Sequence, residues 1–113
     1  MAIVNQQLTT TQLDMITVPA NKSYAITNIL VCNNGSATAS FDMHLIPQSS
    51  SLSNTVTRVI NNLELPAGET FTFDSEKIVL DVGDKISFVA EPDLGAPNAG
   101  LTTLSATVSY LEV

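Results

Sequence analysis

His44 is the only histidine in the chain. A Ser-His-Asp or Cys-His arrangement would have to use it. Asp42 lies two residues earlier, on the same side of an extended strand, where a carboxylate can orient an imidazole. The plainer reading is a partly exposed histidine on a polar strand face beside an acid, and that is what we expect. Cys32 is the only cysteine, so no intrachain disulfide can form. A reactive thiolate needs a helix N-terminus or a neighbouring cation to lower its pKa. The run Ile29-Leu30-Val31-Cys32 offers neither and predicts burial as a small hydrophobe.

Carboxylates cluster at two turns, Asp74 with Glu76 and Asp81 with Asp84. Calcium takes oxygen ligands from such loops, but the spacing lacks the D-x-D-x-D-G order of an EF-hand. Acidic turn residues more often bond their own backbone amides or face water. Paired acids can also hydrolyse glycosides, but a sugar site of that kind normally adds aromatic platforms. The chain has no Trp and only 5% aromatic residues, and Tyr24 and Tyr110 both fit ordinary strand packing. Ala96-Pro97-Asn98-Ala99-Gly100 has one glycine and no lysine, so it is no phosphate loop. The expectation is a protein that is not an enzyme, with no catalytic, cofactor-binding or metal-ligating residue.

The elements that would position these residues are strands. Hydrophobic alternation recurs between turn residues every eight to twelve positions or so, the spacing of sandwiches and barrels. An extended segment from about Gln7 to Val18 puts Leu13, Met15 and Thr17 on one face and stops at Pro19-Ala20-Asn21-Lys22. Tyr24 to Cys32 is apolar on both faces in its second half, which predicts a central strand. Asn33-Asn34-Gly35-Ser36 then carries the strongest hairpin signal, since Asn-Gly suits a type I′ turn. The returning strand is Ala39 to Ile46, with Phe41, Met43 and Leu45 facing one way and Asp42 and His44 the other.

After Pro47 and the polar loop Gln48–Ser53, a strand is expected over Thr55 to Leu65, bulged or bent at Asn61-Asn62. Pro66-Ala67-Gly68 turns the chain into Thr70-Phe71-Thr72-Phe73-Asp74, with both rings on one face. Ile78, Leu80 and Val82 mark a short strand, Gly83-Asp84 a turn, and Lys85 to Ala90 a further strand. The loop Glu91–Gly100 leads to a last strand from Thr102 to Val113. Seven or eight short strands in one domain over residues 1–113 predict an all-β, antiparallel β-sandwich of jelly-roll type. A small closed β-barrel is the alternative.

Composition narrows the partners. Eleven acidic residues face four basic ones, for a net charge of −7. Lys22, Arg58, Lys77 and Lys85 are scattered, so neither a nucleic-acid backbone nor an anionic membrane surface finds a basic cluster. Charged residues make up only 13% of the chain and hydrophobic ones 44%, with Thr, Ser and Asn filling the difference. No stretch approaches a membrane span, and the first residues lack the basic and apolar regions of a secretory signal.

Several of these stretches form a familiar order. They are Tyr24-Ala25-Ile26-Thr27-Asn28-Ile29-Leu30-Val31-Cys32-Asn33-Asn34 with Phe41 following, then Leu65-Pro66-Ala67-Gly68-Glu69. Next come Lys77 to Ile86 and the closing Thr107-Val108-Ser109-Tyr110-Leu111-Glu112. From Tyr24 onward the chain resembles small β-rich structural proteins of tailed bacteriophages, including marine phages. The resemblance implies a virion component assembled in the host cytoplasm, such as a capsid decoration, neck or tail accessory protein. It transfers no functional residue, because it rests on turns and core positions. Weakly charged strand faces and edges, the N-terminal segment 1–18 and the C-terminal strand among them, fit a homo-oligomer that also contacts a phage capsid or tail protein. A carbohydrate-binding β-sandwich module recognising a glycan is the second reading. An oligomeric small-barrel nucleic-acid binder is a third, weakened by the acidic balance.

Overall fold

The computed structural model describes residues 2–73, 78–91 and 101–113, except the side chains of 101 and 102. The described residues form nine strands: β1 (Ala2–Thr9), β2 (Leu13–Thr17), β3 (Tyr24–Asn33), β4 (Ala39–Ile46), β5 (Arg58–Leu65), β6 (Thr70–Phe73), β7 (Ile78–Leu80), β8 (Lys85–Ala90) and β9 (Leu101–Glu112). They build two antiparallel sheets. The first runs β1-β9-β3, with β6 and β7 pairing end to end along the far side of β3, and the second runs β2-β8-β4-β5. With β6 and β7 taken as one broken strand, each sheet has four ranks and the chain crosses repeatedly between them. That is the jelly-roll arrangement. Among the described residues each sheet has two edge strands and the two sheets do not join, so the strands do not close into a barrel.

Alternation builds the core. Leu104, Ala106 and Val108 of β9 are fully buried between the sheets, whereas Ser105, Thr107 and Ser109 point outward. Ile29 and Val31 of β3 face Phe41 and Met43 of β4 and Ile86 and Phe88 of β8 within one apolar cluster. Phe41 links the two layers, its ring 6.1 Å from both Phe71 of β6 and Phe88 of β8. Phe71 and Phe73 share the inner face, as expected of their spacing.

Several expectations change. The segment from Gln7 to Val18 is two strands in different sheets, and a bulge between Asp14 and Ile16 buries both Met15 and Ile16 while exposing Thr17. The strand expected from Thr55 begins at Arg58, because residues 54–57 form a turn. The expected irregularity at Asn61-Asn62 is present: the pairing with β4 slips there and Asn62 has φ +52°. The C-terminal strand is no edge; β9 lies between β1 and β3.

The largest correction concerns Asn33-Asn34-Gly35-Ser36. This segment makes no hairpin, since β3 and β4 belong to different sheets, and Gly35 lacks the positive φ of a type I′ turn. Asn33 itself redirects the chain. Its side chain is fully buried, and Nδ2 donates to the carbonyls of Ala37 and Leu65, both at 2.9 Å. Its Oδ1 accepts from Gly35 N at 2.9 Å and from Thr103 Oγ1 at 2.8 Å. The bond to Gly35 is an Asx-turn, a use of Asn that competes with the hairpin. Glycine is needed at 35 for space: a Cβ there would lie 2.5 Å from Thr103 Cγ2.

Candidate functional site

The outer face of the second sheet holds the chain's polar chemistry. Cross-strand register sets Asp14, Ser87, His44 and Arg58 in one transverse row over β2, β8, β4 and β5. His44 is fully buried, contrary to the partly exposed reading. The turn at 54–57 folds over it, held by Leu45 N donating to Thr57 O at 3.0 Å, and brings Thr57 Oγ1 to 2.8 Å from His44 Nδ1. Asp42 does not orient the ring. Its Oδ1 accepts from Asn62 N, and its Oδ2 lies 3.6 Å from Arg58 Nη1.

The protonation state of His44 follows from its partner. Thr57 Oγ1 donates its single hydrogen to Ser53 O at 2.9 Å and accepts from Ser53 N at 2.9 Å. The imidazole must therefore donate from Nδ1, and in the neutral ring that burial favours Nε2 is then a buried lone pair. Nε2 has no hydrogen-bond partner among the described residues. Ser87 Oγ is not held as its nucleophile, because that hydroxyl donates to Asp14 Oδ1. Lys85 Nζ stands 3.7 Å from Asp14 Oδ2. The row therefore contains the residue types of a triad with the serine hydrogen directed to the wrong neighbour.

Burial lowers the His44 pKa below its ordinary 6.5; Asp42 opposes this and Arg58 reinforces it. The unfolded chain then takes up a proton that the folded protein resists. The resulting stability is present above pH 6.5 and is lost as pH falls from there through the folded value. Unfolding free energy should decline on acidification across that window, with a slope of at most about 1.4 kcal/mol per pH unit, and the melting temperature should fall with it. His44→Gln should flatten the profile. Equal slopes in wild type and variant would refute the assignment, and the lone imidazole can be titrated directly by proton NMR. Asp14 acts in a lower window. Burial raises its pKa, but bonds from Ser87 and Gln12 and the charge of Lys85 outweigh that and hold it below 3.8.

The turn carboxylates serve the backbone. Asp84 accepts from Gln48 N at 2.9 Å and from Asp81 N at 3.0 Å, while Asp81 Oδ1 accepts from Ser23 Oγ at 2.9 Å. This fixes a turn whose third residue, Gly83, has φ +82°, a conformation glycine adopts without strain. No group of three or more metal-ligating side chains occurs among the described residues. Asp74, Glu76 and residues 92–100 lie outside the described residues. An open cleft of about 380 Å³ lined by Leu45, Ile46, Pro47, Ile78 and Leu80 lies beside this turn. Among the described residues its one carboxylate is Asp84, already engaged.

Cys32 is half-buried on the outer face of the first sheet, not in the core, with Sγ 3.4 Å from Asn34 Oδ1. Tyr24 and Tyr110 stack on each other at 4.3 Å and pack against the core, so neither presents a flat platform to a sugar ring.

The outer face of the first sheet differs in kind. Register and alternation place there Ile3, Asn5 and Gln7 of β1, Ser105, Thr107, Ser109 and Leu111 of β9, Ala25, Thr27, Leu30 and Cys32 of β3, Thr70 and Thr72 of β6 and Val79 of β7. None is charged. Thr27 and Ser109 share a hydrogen bond of 2.7 Å across the strands. The nearby ion pair, Lys22 with Glu112 at 3.0 Å, joins the turn before β3 to the end of β9. The ion pairs of Asp42 and Asp14 both lie on the second sheet. Sequence reading missed this segregation, because the residues come from five strands and meet only through register.

No family model, curated protein or solved structure matches the chain. No helix of the described residues is long and apolar enough to cross a membrane.

Proposed function

We propose that the protein is a structural, assembly-type component of a tailed-bacteriophage particle, a capsid decoration or neck or tail accessory protein. It works by self-association and by contact with a larger shell or tail protein, without transforming either. The observation that carries this reading is the outer face of the first sheet, uncharged among the described residues of its strands, in a chain of net charge −7. Removing an unpaired charge from water costs more than removing an unpaired hydroxyl or amide, and a face of hydroxyls, amides and aliphatic groups can meet another surface by pairing its neutral groups across the contact. The resemblance from Tyr24 to the C-terminal strand supports the virion class. The jelly roll agrees with it as an analogy only, since the fold occurs in viral capsid and lectin domains alike. Against hydrolysis stands the direction of the Ser87 hydrogen bond, which turns the hydroxyl away from the lone imidazole.

Quantitative mass spectrometry of gradient-purified particles from a culture carrying the gene provides the test. The chain should be present in fixed ratio to the major shell or tail protein. Intact particles from which it is absent would overturn the reading.

A further inference from the structure

Free sheet edges invite strand pairing, and natural proteins blunt them with charges, prolines, bulges or brevity. Three of the four edge ranks here are blunted in such ways. β2 carries Asp14 and a bulge beside it. β5 carries Arg58 and Glu64, pairs irregularly with β4 and has Asn62 at φ +52°. β6 and β7 are only four and three residues long. β1 has only one of these devices, a shift of register between Gln7 and Thr9 at its end. Its eight residues include no charge and no proline, and its register with β9 is unbroken from Ala2 to Gln7. Among the described residues no strand lies beyond it.

We propose that β1 is a self-pairing edge: two copies of the chain join β1 to β1, antiparallel across a two-fold axis, making one continuous sheet. The proposal rests on the assembly reading above and names its first contact. Charge selects a second copy as the occupant. Each copy carries −7, so like chains can meet closely only where neither presents a carboxylate. β1 and the outer face beside it form such a surface, whereas a basic partner would find its complement elsewhere.

Side-chain period restricts the register. Ile3 and Asn5 point outward and Val4 and Leu8 inward, so residues opposite each other must share a face. The two-fold must then pass through a residue and never between two. Centred on Val4, it sets Val4 against Val4 and Ile3 against Asn5. Val4 packs on the core but is only half-buried, and Ile3 is 66% exposed. The second copy covers the first and shields the second.

Light scattering and sedimentation of the full chain provide the test. The wild type should weigh twice the 12.0 kDa of one chain. The double variant Ile3→Lys/Asn5→Lys, at two exposed positions, should melt like wild type yet weaken pairing at least about tenfold, returning the mass to one chain. Thr72→Lys, on the same outer face but on β6, should leave the dimer intact. Amide exchange gives a second readout: alternate amides of β1 should gain protection as concentration rises.

A wild type that stays monomeric at millimolar concentration overturns self-pairing, while its presence in particles would still uphold the assembly reading. A dimer abolished by Thr72→Lys and untouched by the β1 lysines also overturns the edge contact, in favour of face-to-face packing. Absence from particles with an intact β1 dimer would do the reverse, removing the assembly reading and keeping the contact.

Discussion

Asn33→Ala should lower the unfolding free energy by about 3–5 kcal/mol, since one truncation removes four hydrogen bonds and strands their partners. The carbonyl of Leu65 loses its Nδ2 donor at a buried position and that of Ala37 at a partly buried one, while Gly35 N and Thr103 Oγ1 lose their Oδ1 acceptor at partly buried ones. A buried group left unsatisfied costs about 1–3 kcal/mol, and a partly wetted one less. The main-chain bonds of this residue, Asn33 N to Glu69 O at 2.9 Å and Gly68 N to Asn33 O at 3.0 Å, hold the turn between β5 and β6 and survive the truncation. Asn33→Asp separates the hydrogen-bond account from simple loss of volume. It keeps the shape but directs a carboxylate at two carbonyls, which should raise its folded pKa. Its penalty relative to wild type should therefore be smallest at low pH and grow as pH rises through that value. Urea melts of both variants at matched pH would read this. A penalty below about 1 kcal/mol for Asn33→Ala would mean that water replaces the amide at little cost.

Phe41→Ala should cost a comparable amount, about 3–5 kcal/mol, by a different route. The ring is fully buried on β4 and contacts Phe88 in its own sheet and Phe71 in the other, so truncation opens a cavity where the layers meet. Phe41→Leu, which keeps most of the volume, should lose only about 1–2 kcal/mol. A double-mutant cycle with Phe88→Leu should return a coupling of about 0.5–1.5 kcal/mol, the range for tilted aromatic pairs. Since small domains are stable by about 5–15 kcal/mol, either alanine variant brings this one near its limit. A Phe41→Ala protein that melts within a few degrees of wild type would show that the sheets re-close over the gap.

Much of the sandwich was legible along the chain because burial between sheets imposes period two. Lys85 to Ala90 is a strand with the expected bounds. Phe71 and Phe73 share a face, and Leu104, Ala106 and Val108 alternate with hydroxyl residues as predicted. The errors share one origin. A turn motif reports local backbone preference, and Asn33-Asn34-Gly35-Ser36 satisfies a hairpin locally. The buried Asn33 amide, bonded to two distant parts of the chain at Leu65 and Thr103, outweighs it. His44 alternates like an exposed residue, and it does so on β4. Only the return of Thr57 across the sheet, through contacts absent from its own segment, buries it.

The amino-acid order alone determined that this chain makes strands, that their inward residues form one apolar layer, and that a histidine and a carboxylate share a strand face. Periodicity and composition are properties of single segments, and the order of residues contains them in full. Only the tertiary structure decided which strands lie at the sheet edges, which way the Ser87 hydrogen points, and that the described strand residues on one sheet's outer face carry no charge. Those depend on pairing between segments dozens of residues apart, where the choice of neighbour is made by the packing of the whole molecule.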